Sequence, residues 1–266
     1  MRLNNKSMRI RIRVLTTCGV LAGLGLSMLV GGLFTRTPLQ TVYADNTPQT
    51  LPFGQDWGNT GLITVSDNWS GVAGIEGFRG DGLTGGTAVD PQTVTAADTP
   101  GVLDVNANQT NPNAFATGGV SEFEIANPVV ALQGSGTARA PYILLNLNTS
   151  GLTSINVAYN LRDIDGSADN AIQPVALQFR VGGSGTFTNV PAAFVADATT
   201  GPSLATLITP VSATLPAAAD NQSLVQVRII TTDAAGSDEW VGVDDINVTG
   251  VSGGQPTLNI NDVVMA

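Results

Sequence analysis

Ile155-Asn156-Val157-Ala158-Tyr159-Asn160-Leu161 alternates large apolar residues with polar or small ones without a break. Successive side chains of a strand point to opposite faces, so Ile155, Val157, Tyr159 and Leu161 share one face and need a core to bury it. The same period recurs in Val175, Leu177, Phe179 and Val181, and again in Val225, Val227 and Ile229. Leu62 to Val65, Ser121 to Ile125, Tyr142 to Leu147, Leu204 to Leu215 and Trp240 to Val248 are further short apolar runs. Gly, Asn, Asp, Ser and Pro punctuate them. Short strands at such spacing predict an all-β sandwich. Ala192 to Ala198 amounts to one or two helical turns, and no segment after residue 44 carries a sustained 3.6-residue stripe. Gly71 to Thr117 reads as long loops between weak strands.

The N-terminus has the layout of an export signal. Arg2, Lys6, Arg9, Arg11 and Arg13 precede an uncharged apolar run from Val14 to Phe34, and Val42-Tyr43-Ala44 sets small residues at −3 and −1 of a cleavage site before Asp45. The competing reading is an uncleaved anchor, because the run approaches the ~20 residues of a membrane span. Cys18 opens the apolar run rather than following it, which argues against a lipoprotein. The expected organisation is a signal peptide at 1–44, a lead-in at 45–52, one sandwich at 53–250, a Gly/Pro linker at 251–256 and the first strand of a further module at 257–266.

Export changes the charge. Six of the 11 basic residues precede Asp45, whereas all 21 acidic residues lie from Asp45 onward, so the exported part carries five arginines, no lysine and a balance of −16. Such a surface repels nucleic-acid phosphates and anionic lipid, so neither nucleic acid nor membrane is expected as a partner after cleavage. It suits divalent cations. The single cysteine leaves with the signal, and about 220 residues remain, enough for one sizeable core without disulfides.

The whole chain lacks histidine. Ser-His-Asp and Cys-His nucleophile systems are excluded, with His-containing zinc sites and His-mediated proton transfer. A glycosidase needs just two carboxylates, but no spacing here singles out a pair. The expectation is a chain without catalytic machinery of its own.

Two acidic clusters invite ligand readings. Asp163, Asp165 and Asp169 surround a Gly turn, placing oxygens within reach of one calcium ion; the alternative is an Asx-rich turn whose carboxylates cap backbone amides. No downstream bidentate Glu makes this an EF-hand. Asp244-Asp245 sits inside the last strand, where alternation sends one carboxylate inward or against an edge. That group needs an arginine, with Arg228 or Arg180 as candidates, or backbone amides, or calcium.

Phe53-Gly-Gln-Asp56-Trp57 together with Val243-Asp-Asp-Ile246 resembles jelly-roll carbohydrate-binding modules and similar adhesion domains. That resemblance implies neighbouring termini sharing a structural calcium, held by Asp56 and one of Asp244 or Asp245. Leu51-Pro-Phe53, Asn160 to Asp165, Val175 to Arg180 and Asp238 to Asp245 are together similar to the N-terminal, non-catalytic module of large bacterial secreted proteins. Those include extracellular nucleases of the endonuclease/exonuclease/phosphatase type and multidomain surface proteins. Pro256 to Asp262 resembles the first strand of a Calx-beta module. The nuclease's catalytic motifs have no counterpart in these residues.

Among the aromatics, Trp240 opens an apolar strand and is expected in the core. Trp69, in the polar Ser66-Asp-Asn-Trp-Ser-Gly71 loop, is the candidate exposed platform for a sugar ring. The reading as a whole is a secreted jelly-roll-type β-sandwich, calcium-stabilised, that binds a glycan or cell-surface polymer. Its alternative is the leading fragment of a secreted nuclease or phosphoesterase whose chemistry lies past residue 266.

Overall fold

The computed structural model describes residues 43–97, 102–167, 171–201 and 204–253. The expected signal peptide, apart from Tyr43 and Ala44, most of the linker, the Calx-beta-like stub and Asp169 lie outside the described residues.

The strands in chain order are β1 (Gln49–Thr50), β2 (Phe53–Gln55), β3 (Ile75–Phe78), β4 (Asn106–Gln109), β5 (Gly119–Phe123), β6 (Val129–Gln133) and β7 (Tyr142–Asn148). They continue with β8 (Leu152–Asp163), β9 (Ala176–Val181), β10 (Thr188–Asn189), β11 (Ile208–Thr214), β12 (Val225–Ile230) and β13 (Val241–Ser252). Only short 3-10 turns accompany them among the described residues, one at Pro191–Ala193 within the Ala-rich stretch. None of these is long and apolar enough to cross a membrane.

Six strands form one sheet in the order β1-β7-β12-β9-β10, with β3 also on β7. Seven form the other in the order β11-β8-β13-β6-β5-β4, with β2 also on β13. The architecture is an all-β sandwich of jelly-roll type. Strand β13 divides its second edge, pairing β6 through Val241 to Val243 and β2 through Ile246 to Val248. The short β2 near the start of the module and its last strand therefore lie side by side.

The alternation of β8 determines its place. Ile155, Val157, Tyr159 and Leu161 are buried, whereas Asn156, Ala158 and Asn160 are half-exposed. The buried row packs in one cluster with Ile143, Leu145, Leu177, Val227 and Ile229 of the facing sheet and with Val241, Val243, Ile246 and Val248 of β13. At about 1.5–3 kcal/mol for each large apolar side chain removed from water, this cluster dominates the stability. Trp240 is fully buried, as expected.

Strand β12 and the first four residues of β9 are buried on both faces, whereas Val181, expected on the inner row, is exposed. Val94, Tyr142, Leu144, Ala176, Phe187 and Ile230 form a second cluster outside the first sheet, with Leu83 and Val89 of the long 79–105 connection packed on it. Arg228 fastens this layer. Its guanidinium donates to the carbonyls of Val94 at 2.6 Å and Ala96 at 3.0 Å, and lies 4.0 Å from the centre of the Phe187 ring. Arg228 thus serves the outer layer of the first sheet, far in topology from Asp244. The outer face of the other sheet, along β8, β11 and β13, stays open.

Leu62 to Val65 does not form a strand; a 3-10 turn at Thr60–Leu62 leads instead into a buried Ile63. Strand β6, not anticipated, fills the gap between β5 and β13.

Candidate binding site

The Asp-Asp pair departs from simple alternation. Between Asp244 and Asn247 the register of β13 against β8 slips, because Asp244 faces Asn160 while Asn247 faces Ala158. One extra residue is absorbed in this bulge, and Asp245 takes φ +50 to do so. Val243 and Ile246 both reach the core on either side of it. The bulge lets both carboxylates lie off the core, so neither follows simple alternation, yet one of them is buried and meets an arginine and a backbone amide, as such a group requires.

Asp244 is nonetheless buried. Its Oδ2 accepts from Arg162 Nη1 at 2.8 Å and from Asn127 Nδ2 at 3.1 Å, and its Oδ1 accepts from the Asp245 amide at 2.8 Å. Burial pushes its pKa up, while the Asp245 amide and Arg162 draw it back. The arginine is Arg162 on the neighbouring strand rather than Arg228 or Arg180. Arg180 instead donates to Gln226 and the Gly185 carbonyl.

Asp245 is exposed, and its Oδ2 accepts from Asn160 Nδ2 at 2.8 Å. Asp56, at the end of β2, accepts from the Gly58 amide at 3.0 Å. Asp56 and Asp245 line one shallow depression of about 340 Å³ with Gly54, Gln55 and Asn247. A second depression of about 310 Å³ adjoins it, lined by Asn160, Pro210, Ser212, Asp245 and Asn247. Asp245 and Asn247 belong to both. Ser212 also donates to Asn156 at 3.2 Å, extending the row of polar groups along β8. The result is an open trough with Asp245 at its middle, polar around Asp56 and mixed along β8 and β11, where Ala158, Tyr159 and Val211 also line it.

Of the residues implied as a shared calcium site, Asp56 and Asp245 thus line the same depression, whereas Asp244 is occupied by Arg162. Among the described residues no three carboxylates already converge on one point. Asp163 and Asp165 do make Asx-type turns, accepting from the amides of Asp165 at 3.1 Å and Ser167 at 2.9 Å.

Trp69 is not an exposed platform. It has no exposed surface, donates through Nε1 to the Asp104 carbonyl at 3.1 Å and meets Trp57 edge-on with ring centres 6.4 Å apart. Trp57 is also buried and donates to the Val243 carbonyl at 2.7 Å. The polar residues around Trp69 form the turn, while the indole folds back across Gly77. A Cβ on Gly77 would overlap that ring.

No family model matches the chain, and no curated protein does. Among solved structures, it is similar to the K2 cleaved adhesin domain of Lys-gingipain, at 14% identity and TM-score 0.41 over 75% of this chain and 98% of that one. The K3 adhesin domain of the same protein from Porphyromonas gingivalis w83 is similar at 13% identity and TM-score 0.39, over 74% and 96%. A carbohydrate-binding module specific for non-crystalline cellulose is similar at 14% identity and TM-score 0.35, over 55% and 97%.

Proposed function

We propose that this chain is an exported, non-catalytic binding module that holds a neutral glycan along the outer face of the β8-β11-β13 sheet. The observation that supports it is the trough centred on Asp245. There a carboxylate, the amides of Asn156, Asn160 and Asn247 and the Ser212 hydroxyl line an open face backed by a packed core. Sugar hydroxyls both donate and accept. A row mixing carboxylate, amide and hydroxyl groups offers partners to each kind, and adjacent hydroxyls engage the two oxygens of one carboxylate.

Charge narrows the ligand. A balance of −16 on the exported residues disfavours sulfated or uronic-acid polymers and nucleic acids alike. With no histidine and no convergent nucleophile and base in the trough, binding rather than turnover is the chemistry these residues support. The secreted setting belongs to the same proposal through the N-terminal signal pattern, and calcium enters it as a stabilising ion outside the trough.

Affinity electrophoresis of the protein through gels containing soluble neutral polysaccharides, β-glucans first, tests the reading. Retardation in one or more gels, lost on Asp245→Ala and on Asn160→Ala, is the expected result. Equal migration in every neutral polymer, or retardation that both variants retain, refutes it.

A further inference from the structure

The inner row of β8 does not end with its apolar residues. It runs on from Leu161 to Asp163 and Asp165, with Asp163 opposite Val241 and the Ile164 amide bonded to the Trp240 carbonyl at 3.4 Å. Continuing this register sets Asp165 opposite Glu239. The carboxylates of Asp163 and Glu239 are enclosed at one end of the sandwich, 2% and 1% exposed. Each keeps one oxygen with no donor, Asp163 Oδ2 and Glu239 Oε2. Asp165 and Asp197 lie close enough to both to raise their pKa electrostatically, though burial is the larger cause for each.

Among the described residues, none of the ion pairs includes Asp163 or Glu239. The three ion pairs among the described residues join Arg79 to Asp81, Arg139 to Asp233 and Arg162 to Asp244. Buried carboxylate oxygens without a partner are costly, and a native structure resolves them with a donor, a water or an ion. Oxygen-only surroundings with no sulfur or imidazole suit a hard cation. The irregular supply of carboxylates, carbonyls and water suits calcium better than magnesium, which demands a near-ideal octahedron. Beside this corner, Asp165 also lines a polar cleft of about 390 Å³ with Asn113, Ser167, Asp233 and Asp238.

We propose that Asp163 and Glu239 are the protein ligands of a calcium site that closes this end of the sandwich, with Asp165 at its mouth. The site is separate from the Asp245 trough and does not depend on it. Two buried side chains supply the first ligands, and backbone carbonyls and waters from the cleft complete the shell. Binding there ties the end of β8 to the start of β13.

Thermal unfolding and isothermal titration calorimetry with calcium chloride, after removal of divalent ions with a chelator, test the site. The expected result is measurable binding heat and a melting temperature raised in millimolar calcium. Both are lost in Asp163→Asn and Glu239→Gln and kept in Asp56→Asn and Asp245→Asn. Hydrogen exchange on the unsubstituted protein provides a reading that needs no variant, since calcium should slow exchange at the amides of Asp165, Ser167 and Val241. Three outcomes overturn the proposal. One is the absence of heat, shift and protection, which leaves a proton shared between the two carboxylates as the explanation. The second is a calcium effect that survives both variants. The third is an effect lost instead on Asp56→Asn or Asp245→Asn.

Discussion

Arg162 and Asp244, on neighbouring strands and paired at 2.8 Å, form the ion pair on which the outer face of the second sheet rests. Asp244 is 1% exposed, so its charge has no access to water once the strand is formed. Arg162 also donates to the Asn127 carbonyl at 3.2 Å, which draws the 124–128 turn onto the same spot.

Removing the arginine should therefore be far worse than removing the pair. Arg162→Met leaves a buried carboxylate with only the Asn127 amide and a backbone donor, at a cost of about 3–5 kcal/mol. Arg162→Met with Asp244→Leu, which replaces both charges by apolar groups, should cost much less than the two single changes combined. Urea denaturation of the four proteins of this cycle decides the matter. Additive losses would show that the ion pair carries no coupling.

Trp69 makes a prediction about stability alone. Trp69→Ala removes a buried indole and its bond to the Asp104 carbonyl and should cost about 3–5 kcal/mol. Gly77→Ala, which pushes a methyl group into the same ring, should cost about 1–3 kcal/mol. Polysaccharide retardation of the fraction that remains folded should be unchanged in both. A selective loss of binding in Trp69→Ala at full folding would restore the sugar platform that burial excludes.

How far these features are visible in the chain itself depends on whether their cause is local. The row Ile155, Val157, Tyr159 and Leu161 reads directly, because an alternating strand with one packed face follows from spacing alone. Strand β6 lacks alternation, since Val129, Val130, Ala131 and Leu132 are all buried, and it was not anticipated. Alternation misleads at Asp244-Asp245 because a bulge resets the period, and a bulge depends on the partner strand. Trp69 misleads for a similar reason. Asp67 and Asn68 do make a polar turn, but the indole's resting place is Gly77, on another strand. The Asp163-Asp165 spacing was legible as a turn or an ion site, whereas Glu239 comes to it only through the pairing of β8 with β13. The residue stands directly before Trp240, and pairing the ends of those two strands would have found it.

A pH dependence follows from the corner where β4 meets β5. Asp104 accepts from the Val120 amide at 2.6 Å, and Glu122 accepts from the Asn108 amide at 2.7 Å while its other oxygen has no donor. Burial pushes Asp104 up to about 6 and Glu122 up to about 7. In the unfolded chain both titrate near 4. Between those values the folded protein holds protons that the unfolded chain has released. The contribution of these two groups to stability is then fully present below about pH 4 and is lost as pH rises through 6 and 7, on the order of 2 kcal/mol for each group. Melting temperatures of wild type measured from pH 5 to pH 8 should fall. Asp104→Asn and Glu122→Gln should each flatten that slope, and a slope unchanged in both would show that the protonation of these carboxylates does not govern stability.

The bulge at Asp245 allows binding and folding to be separated. A non-glycine residue at φ +50 is strained by about 1–2 kcal/mol, less for Asp, whose short side chain tolerates that region. Asp245→Gly keeps the bulge and relieves the backbone, while it deletes the carboxylate that Asn160 holds in the middle of the trough. Its stability should equal that of wild type or exceed it by up to about 1 kcal/mol, and its retardation by neutral polysaccharide should disappear. Asp245→Val, β-branched and intolerant of positive φ, should instead lose about 1–3 kcal/mol. Asp245→Asn should keep both the fold and part of the binding, because an amide still offers an acceptor oxygen and two N–H donors to sugar hydroxyls. If Asp245→Gly bound polysaccharide as tightly as wild type, the centre of recognition would have to lie off the trough.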